Sequence, residues 1–181
     1  MNAFEYVSVL YSIVVSLAVT HLLVGLGRII RAPKVRFSLV HAGWVVYMFF
    51  QCVDFWFSIW RTRDSILNVG LAVYAFAIAA ALYLSCWLVM PEIRPDETVD
   101  LVAVNDRDRR KYLGAFIVYS ALGALGILAT NGLRPALWAP VIGILASAAA
   151  WIWRNRGVQA TALAAIYAAT VLYFFRYLWV L

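Results

Sequence analysis

Charge is scarce in this chain. Only 13% of its 181 residues are charged, where a soluble domain carries about 25%, so the sequence excludes an ordinary soluble fold. No long polar segment is left over for a second domain. No glycine-rich phosphate loop or dinucleotide fingerprint occurs. No nucleophile stands with a base and an orienting acid, so an enzyme finds no support. Cysteine is limited to Cys52 and Cys86, with no CxxC pair, and histidine to His21 and His41. A zinc site would have to rest on the two histidines and Cys86 from three helices, short of the usual four ligands, and no metal is expected. The net charge of +6 would suit nucleic acid, but the basic residues sit at the ends of apolar stretches rather than on a soluble face, so nucleic acid is not expected as a partner.

What fills the chain instead is hydrocarbon, with 65% of residues hydrophobic. A bilayer crossing takes about 20 apolar residues at 1.5 Å each. Six stretches meet that need, at 4–30, 37–60, 66–89, 112–130, 137–153 and 158–181. The first has neither a basic start nor a small-residue cleavage site, so it reads as a retained membrane helix. The expectation is all-α: one integral membrane domain, 1–181, a six-transmembrane-helix bundle whose partner is the lipid bilayer. Gly25, Gly27, Gly123, Gly126, Gly143 with Ser147, and the alanines at 79–81 favour close helix packing, within the chain or between copies in a homo-oligomer.

Basic residues set the expected orientation. Arg28, Arg31, Lys34, Arg36, Arg94, Arg107, Arg109, Arg110, Lys111, Arg154 and Arg156 fall on one side, against Arg61, Arg63, Arg134 and Arg176 on the other. The positive-inside rule then places both termini outside, in the periplasm of a Gram-negative host, with a cytoplasmic loop at 90–111. Trp44, Trp87, Trp151 and Trp153 fall at inner span ends and Trp56, Trp60, Trp138 and Trp179 at outer ends, as aromatic belts do. The run "NDRDRRKY" at 105–112 reads as a solvated charge cluster meeting anionic headgroups at its basic end. Cys52 lies in the outer half of the second span and Cys86 near the inner end of the third. At different depths they are not expected to form a disulfide, and both read as small buried hydrophobes.

Polar residues within the spans are the functional candidates. Glu5, Ser8, Ser12, Ser16 and Thr20 lie within about 120° of arc on the first helix. Such a stripe either packs helices or lines a path. Tyr47, Gln51, Asp54 and Ser58 share a face of the second helix, and Thr170 and Tyr173 a face of the sixth, with Arg176 beside it. An acid at the depth of Asp54 needs water or a partner. His21 and His41 come to similar depth on neighbouring helices and are candidates for proton handling or for axial ligation of a haem b, although helices about 8 to 10 Å apart leave little room for one.

The opening "FEYVSVLYSIVVSLAVTHLLVGLGRIIR" and the second span "WVVYMFFQCVDFWFSIW" resemble small multispanning proteins of bacterial inner membranes. The likeness covers mainly the first 60 residues. It implies a bacterial inner-membrane location and a compact helical membrane fold. That group brings no established activity, so no functional residue is carried over. The leading expectation is a small transport or channel protein moving an ion, proton or small polar solute past Glu5, Ser8, Ser12, Ser16, Thr20, Gln51, Asp54, Tyr173 and Arg176, with no cofactor. The alternatives are a redox subunit holding haem b or quinone at His21 and His41, and an accessory subunit of a larger membrane complex.

Overall fold

The computed structural model describes residues 3–61, 69–93, 98–131 and 135–178. Arg63, Arg94, Arg134 and Trp179, and the outer edges of the third and sixth apolar stretches, lie outside the described residues. Six α-helices account for most of the rest: α1 (Ala3–Arg31), α2 (Leu39–Arg61), α3 (Val69–Val89), α4 (Leu101–Asn131), α5 (Trp138–Ile152) and α6 (Arg156–Tyr173). Helix is what apolar runs of this length must form in hydrocarbon, because only there does each backbone N–H and C=O find a partner within its own segment. Five of the six are long and apolar enough to cross a membrane. The exception is α5, whose 15 residues rise only about 23 Å against a hydrocarbon core of about 30 Å. It follows a 3-10 turn, Pro135–Leu137, and carries Pro140 in its first turn, where a missing N–H costs nothing.

The helices form two layers of three. One layer is α1, α2 and α6, and the other is α3, α4 and α5; α1 and α2 pack onto α3, α2 also onto α4, and α6 onto α5. These layers are not the two halves of the sequence, since α6 returns to lie beside α2. Within the bundle, tyrosine hydroxyls tie one helix to the backbone of another. Tyr11 donates to the Ala72 carbonyl at 2.8 Å and Tyr167 to the Gly43 carbonyl at 2.9 Å, and Tyr74 donates to the Leu122 carbonyl. Each ring contributes apolar area while its hydroxyl finds the acceptor that hydrocarbon cannot supply.

One end of the bundle is basic. Two-residue strands β1 (Val35–Arg36) and β2 (Val99–Asp100) pair in parallel there, with Val99 N–H donating to the Lys34 carbonyl at 3.0 Å. Asp100 does two further jobs: its Oδ1 accepts from the amides of Val102 and Ala103 at 2.9 and 3.0 Å, and its Oδ2 meets Arg36 at 3.2 Å. It is the N-cap of α4. The helix therefore starts at Leu101, and residues 101–111, expected within a loop, continue the fourth span as helix. Trp44 also departs from expectation. Instead of a belt position it is fully buried, its ring about 6 Å from those of Tyr47, Tyr112 and Phe116. The cause is the central place of α2, which is flanked by α1 and α6 and backed by α3 and α4.

Close approach of α2 to α6 depends on Gly43, where an added Cβ would fall 2.3 Å from Leu163 Cδ2. Gly27, in contrast, has nothing within 4 Å of that position among the described residues. Gly43→Ala should destabilise the detergent-solubilised protein by about 1–3 kcal/mol relative to Gly27→Ala, the cost of overpacking, since the gain in helix propensity is common to both. Chemical denaturation monitored by tryptophan fluorescence measures the difference. A second expectation concerns Asp100, whose carboxyl is held below the usual range chiefly by the Ala103 amide, with Val102 and Arg36 adding to it. A depressed folded pKa means that its contribution is complete above the unfolded value of about 3.9 and is lost as pH falls through the folded one. Hydrogen exchange at the Val102 and Ala103 amides, corrected for intrinsic rates, should show steady protection above about pH 5 and losing it under more acid conditions.

Candidate functional site

The stripe on α1 faces away from the bundle. Ser8 and Ser12 donate to carbonyls within their own helix, Glu5 O at 2.9 Å and Ser8 O at 2.6 Å, while Glu5, Ser16 and Thr20 are exposed. An open groove of about 360 Å³ runs along it, lined by Val9, Ser12, Ile13, Ser16, Leu17 and Thr20. Every lining residue belongs to α1, so the groove is an outer surface of the bundle and not a passage between its helices.

Interior polarity follows α2 instead. His41, Trp44, Tyr47, Gln51 and Asp54 fall within about 140° of arc, on the side where Tyr47 meets Phe116 of α4 and Tyr167 of α6. Gln51 is buried and its Nε2 donates to the Tyr47 hydroxyl at 2.7 Å; that hydroxyl in turn shares a hydrogen bond with Thr170 of α6 at 3.3 Å. The face of α2 and the face of α6 singled out in the sequence thus meet. Asp54, half-buried, stands within electrostatic reach of the Tyr47 and Tyr119 hydroxyls. Tyr173 packs against Trp138 of α5 at 6.4 Å between ring centres, and Arg176 is exposed in a π-helical turn, Phe174–Leu178.

The histidines serve different neighbourhoods. His21 is half-buried, its ring 6.3 Å from Trp87 of α3. His41 is 1% exposed, within electrostatic reach of Asp108 on α4, and among the described residues neither ring nitrogen has a hydrogen-bond partner; the indole N–H of Trp44, one turn on, has none there either. Buried nitrogens left without partners are rare in folded proteins and call for a physical explanation.

At the basic end, beside His41, lies a network that the sequence reading missed. Asn105 Nδ2 donates to Gln159 Oε1 at 2.8 Å, and Asn105 Oδ1 accepts from the Tyr112 hydroxyl at 2.6 Å. Arg109, 4% exposed, donates to the carbonyls of Ala150 and Trp153, each at 2.8 Å. The signal was the spacing: Asn105, Arg109 and Tyr112 fall within about 60° of arc once the run is helical. Read as a solvated cluster, the run hid its buried face. Arg107, Arg110 and Lys111 are indeed exposed, and Arg107 and Lys111 pair with Asp108 at 2.7 and 2.8 Å.

The two cysteines also correct the reading. Both are buried, and their sulfurs stand 3.7 Å apart. Depth counted from each helix's own end assumes that the ends are level, and they are not. Met90, just past α3, lies against Gly25 of α1, so α3 stops about two turns short of the end of α1. That stagger carries Cys86 to the level of Cys52.

The network yields an expectation of its own. Asn105→Leu strands the buried Gln159 amide and Tyr112 hydroxyl and should cost about 1–3 kcal/mol for each group left unpaired. Adding Gln159→Leu should recover part of the loss, since it removes a stranded partner. Arg110→Ala, at an exposed site, should stay within about 0.5 kcal/mol of the parent. Unfolding in detergent compares the four proteins.

Comparison of the chain with protein-family models, with curated proteins and with solved structures gives no match.

Proposed function

We propose that this protein moves protons across a bacterial inner membrane, along the polar line of α2 rather than along the α1 stripe. The observation that carries the reading is the interior series His41, Tyr47, Gln51 and Asp54, joined through Tyr47 to Thr170 and ending on a buried histidine with two unpartnered nitrogens. Imidazole, carboxylate, phenol and amide side chains are what a proton relay in a membrane uses, and an intramembrane acid or histidine is costly enough to need such a purpose. Packing supports a proton over a larger solute. Trp44 is wedged among Tyr47, Tyr112 and Phe116, which closes the line to a hydrated ion or a small polar molecule.

In this reading the basic end faces the cytoplasm and both termini the periplasm, by the positive-inside rule. The short helix α5 then crosses as a sixth span, with the bilayer thinned or its flanking tryptophans adjusting to the mismatch. Glu5 and the α1 stripe contact a second copy in a homo-oligomer, where small hydroxylated residues permit close helix packing. The line runs between His41, near Asp108 at the cytoplasmic side, and Asp54 towards the periplasmic side.

Reconstitution into liposomes holding a pH-sensitive dye, with a potassium diffusion potential as driving force, tests the proposal. The parent should acidify the lumen well above the rate of protein-free vesicles. Asp54→Asn and His41→Gln should each lower the protein-dependent rate at least about tenfold, on the scale of a lost acid–base group. Ser16→Ala and Thr20→Ala should leave it unchanged. A parent rate equal to empty vesicles, or full activity in both line variants, overturns the reading.

A further inference from the structure

The chain's only two cysteines, 34 residues apart on α2 and α3, meet in the interior with their sulfurs at 3.7 Å. Neither helix presents a CxxC or any local reason for pairing them, so the juxtaposition is a product of the tertiary fold. Apolar residues one turn away hold them there: Met48 and Phe55 about Cys52, Leu82 and Val89 about Cys86, all nearly or fully buried. A sulfur–sulfur bond is about 2.05 Å long, and a rotamer change at one cysteine moves its sulfur by more than the remaining gap. Cys52 and Cys86 are 1% and 0% exposed, while the next residues along each helix, Val53 and Trp87, are exposed on the bundle's outer surface, so both thiols lie inside the apolar bundle.

We propose that Cys52 and Cys86 form a reversible intramembrane disulfide that ties α2 to α3, formed by a lipid-soluble oxidant of the quinone class. The two thiols lose two electrons and two protons, an Sγ–Sγ bond forms, and the quinone takes both electrons and both protons to become a quinol. A water-borne disulfide such as oxidised glutathione has no route to sulfurs set within two apolar helices, which is why the oxidant must be lipid-soluble. The bond fixes the middle of α2 against α3 one residue from Gln51. The proposal stands independently of the proton-transfer reading, because its test reads thiols and not flux.

The full-length protein in lipid nanodiscs is treated with tetramethylbenzoquinone, denatured, alkylated with a maleimide and weighed intact. Untreated protein should take two labels. Oxidised protein should take none, lose two hydrogens in mass, run as a monomer without reductant, and yield on digestion a linked peptide pair containing positions 52 and 86; dithiothreitol in detergent should restore both labels. Cys52→Ser and Cys86→Ser should each keep their single label through the same treatment. Two labels retained after oxidation overturn the proposal, as does loss of label through dimers linked between chains. Oxidation that proceeds equally with oxidised glutathione as the sole oxidant overturns the assignment of a lipid-soluble oxidant.

Discussion

Arg109 carries its charge at 4% exposure and directs it to the carbonyls of Ala150 and Trp153, which close the end of α5. The last turn of any helix leaves carbonyls without partners and concentrates negative partial charge there. A guanidinium answers both needs with its fixed fork of donors. Since α5 turns directly into α6 through Trp153, Arg154 and Asn155, this contact also sets where α6 begins. Asn105 and Gln159 fasten the same corner from the side. With α4 gripping the turn in this way, α6 is delivered back across the bundle to α2, and Thr170 to Tyr47.

That placement separates two kinds of polar residue that look alike in one dimension. Ser8 and Ser12 satisfy their hydroxyls on their own helix, which lets that part of the α1 stripe face outward at little cost. Gln51 also turns to its own helix, donating to the Tyr47 hydroxyl one turn back, but that hydroxyl shares a hydrogen bond with Thr170 of α6, which holds the pair in the interior. His41 and Trp44 extend this interior line without partners for their nitrogens among the described residues, which leaves the end near Asp108 with hydrogen-bonding capacity to spare.

Much of the architecture is legible in one dimension because hydropathy and charge are local properties. Each apolar run becomes a helix whatever its neighbours are, and the six helices lie where the six runs are. Arg28, Lys34, Arg107, Lys111 and Arg154, all exposed, belong to one end because charge avoids hydrocarbon on any topology. The Tyr47–Gln51 face was readable for the same reason, since helical spacing alone sets it. Trp44 was not: a tryptophan near a span end serves equally well at the headgroup layer or in a core, and only the central position of α2 selects the core. Residues 101–111 were misjudged because composition shows the exposed side, Arg107, Arg110 and Lys111, and conceals Arg109 and Asn105.

By itself, then, the sequence determines that this chain is helical, that it has runs long and apolar enough to cross a membrane, and which side chains share a helix face. Those outcomes depend on a segment and its solvent. The tertiary structure decides which faces meet and at what relative height, and both depend on packing between segments remote in the chain. Gly25 against Met90 and Gly43 against Leu163 set the heights of α3 and α6. The contact of Cys52 with Cys86 follows from those heights, and the burial of His41 and the outward turn of the serine stripe from which faces meet; no single helix specifies any of them.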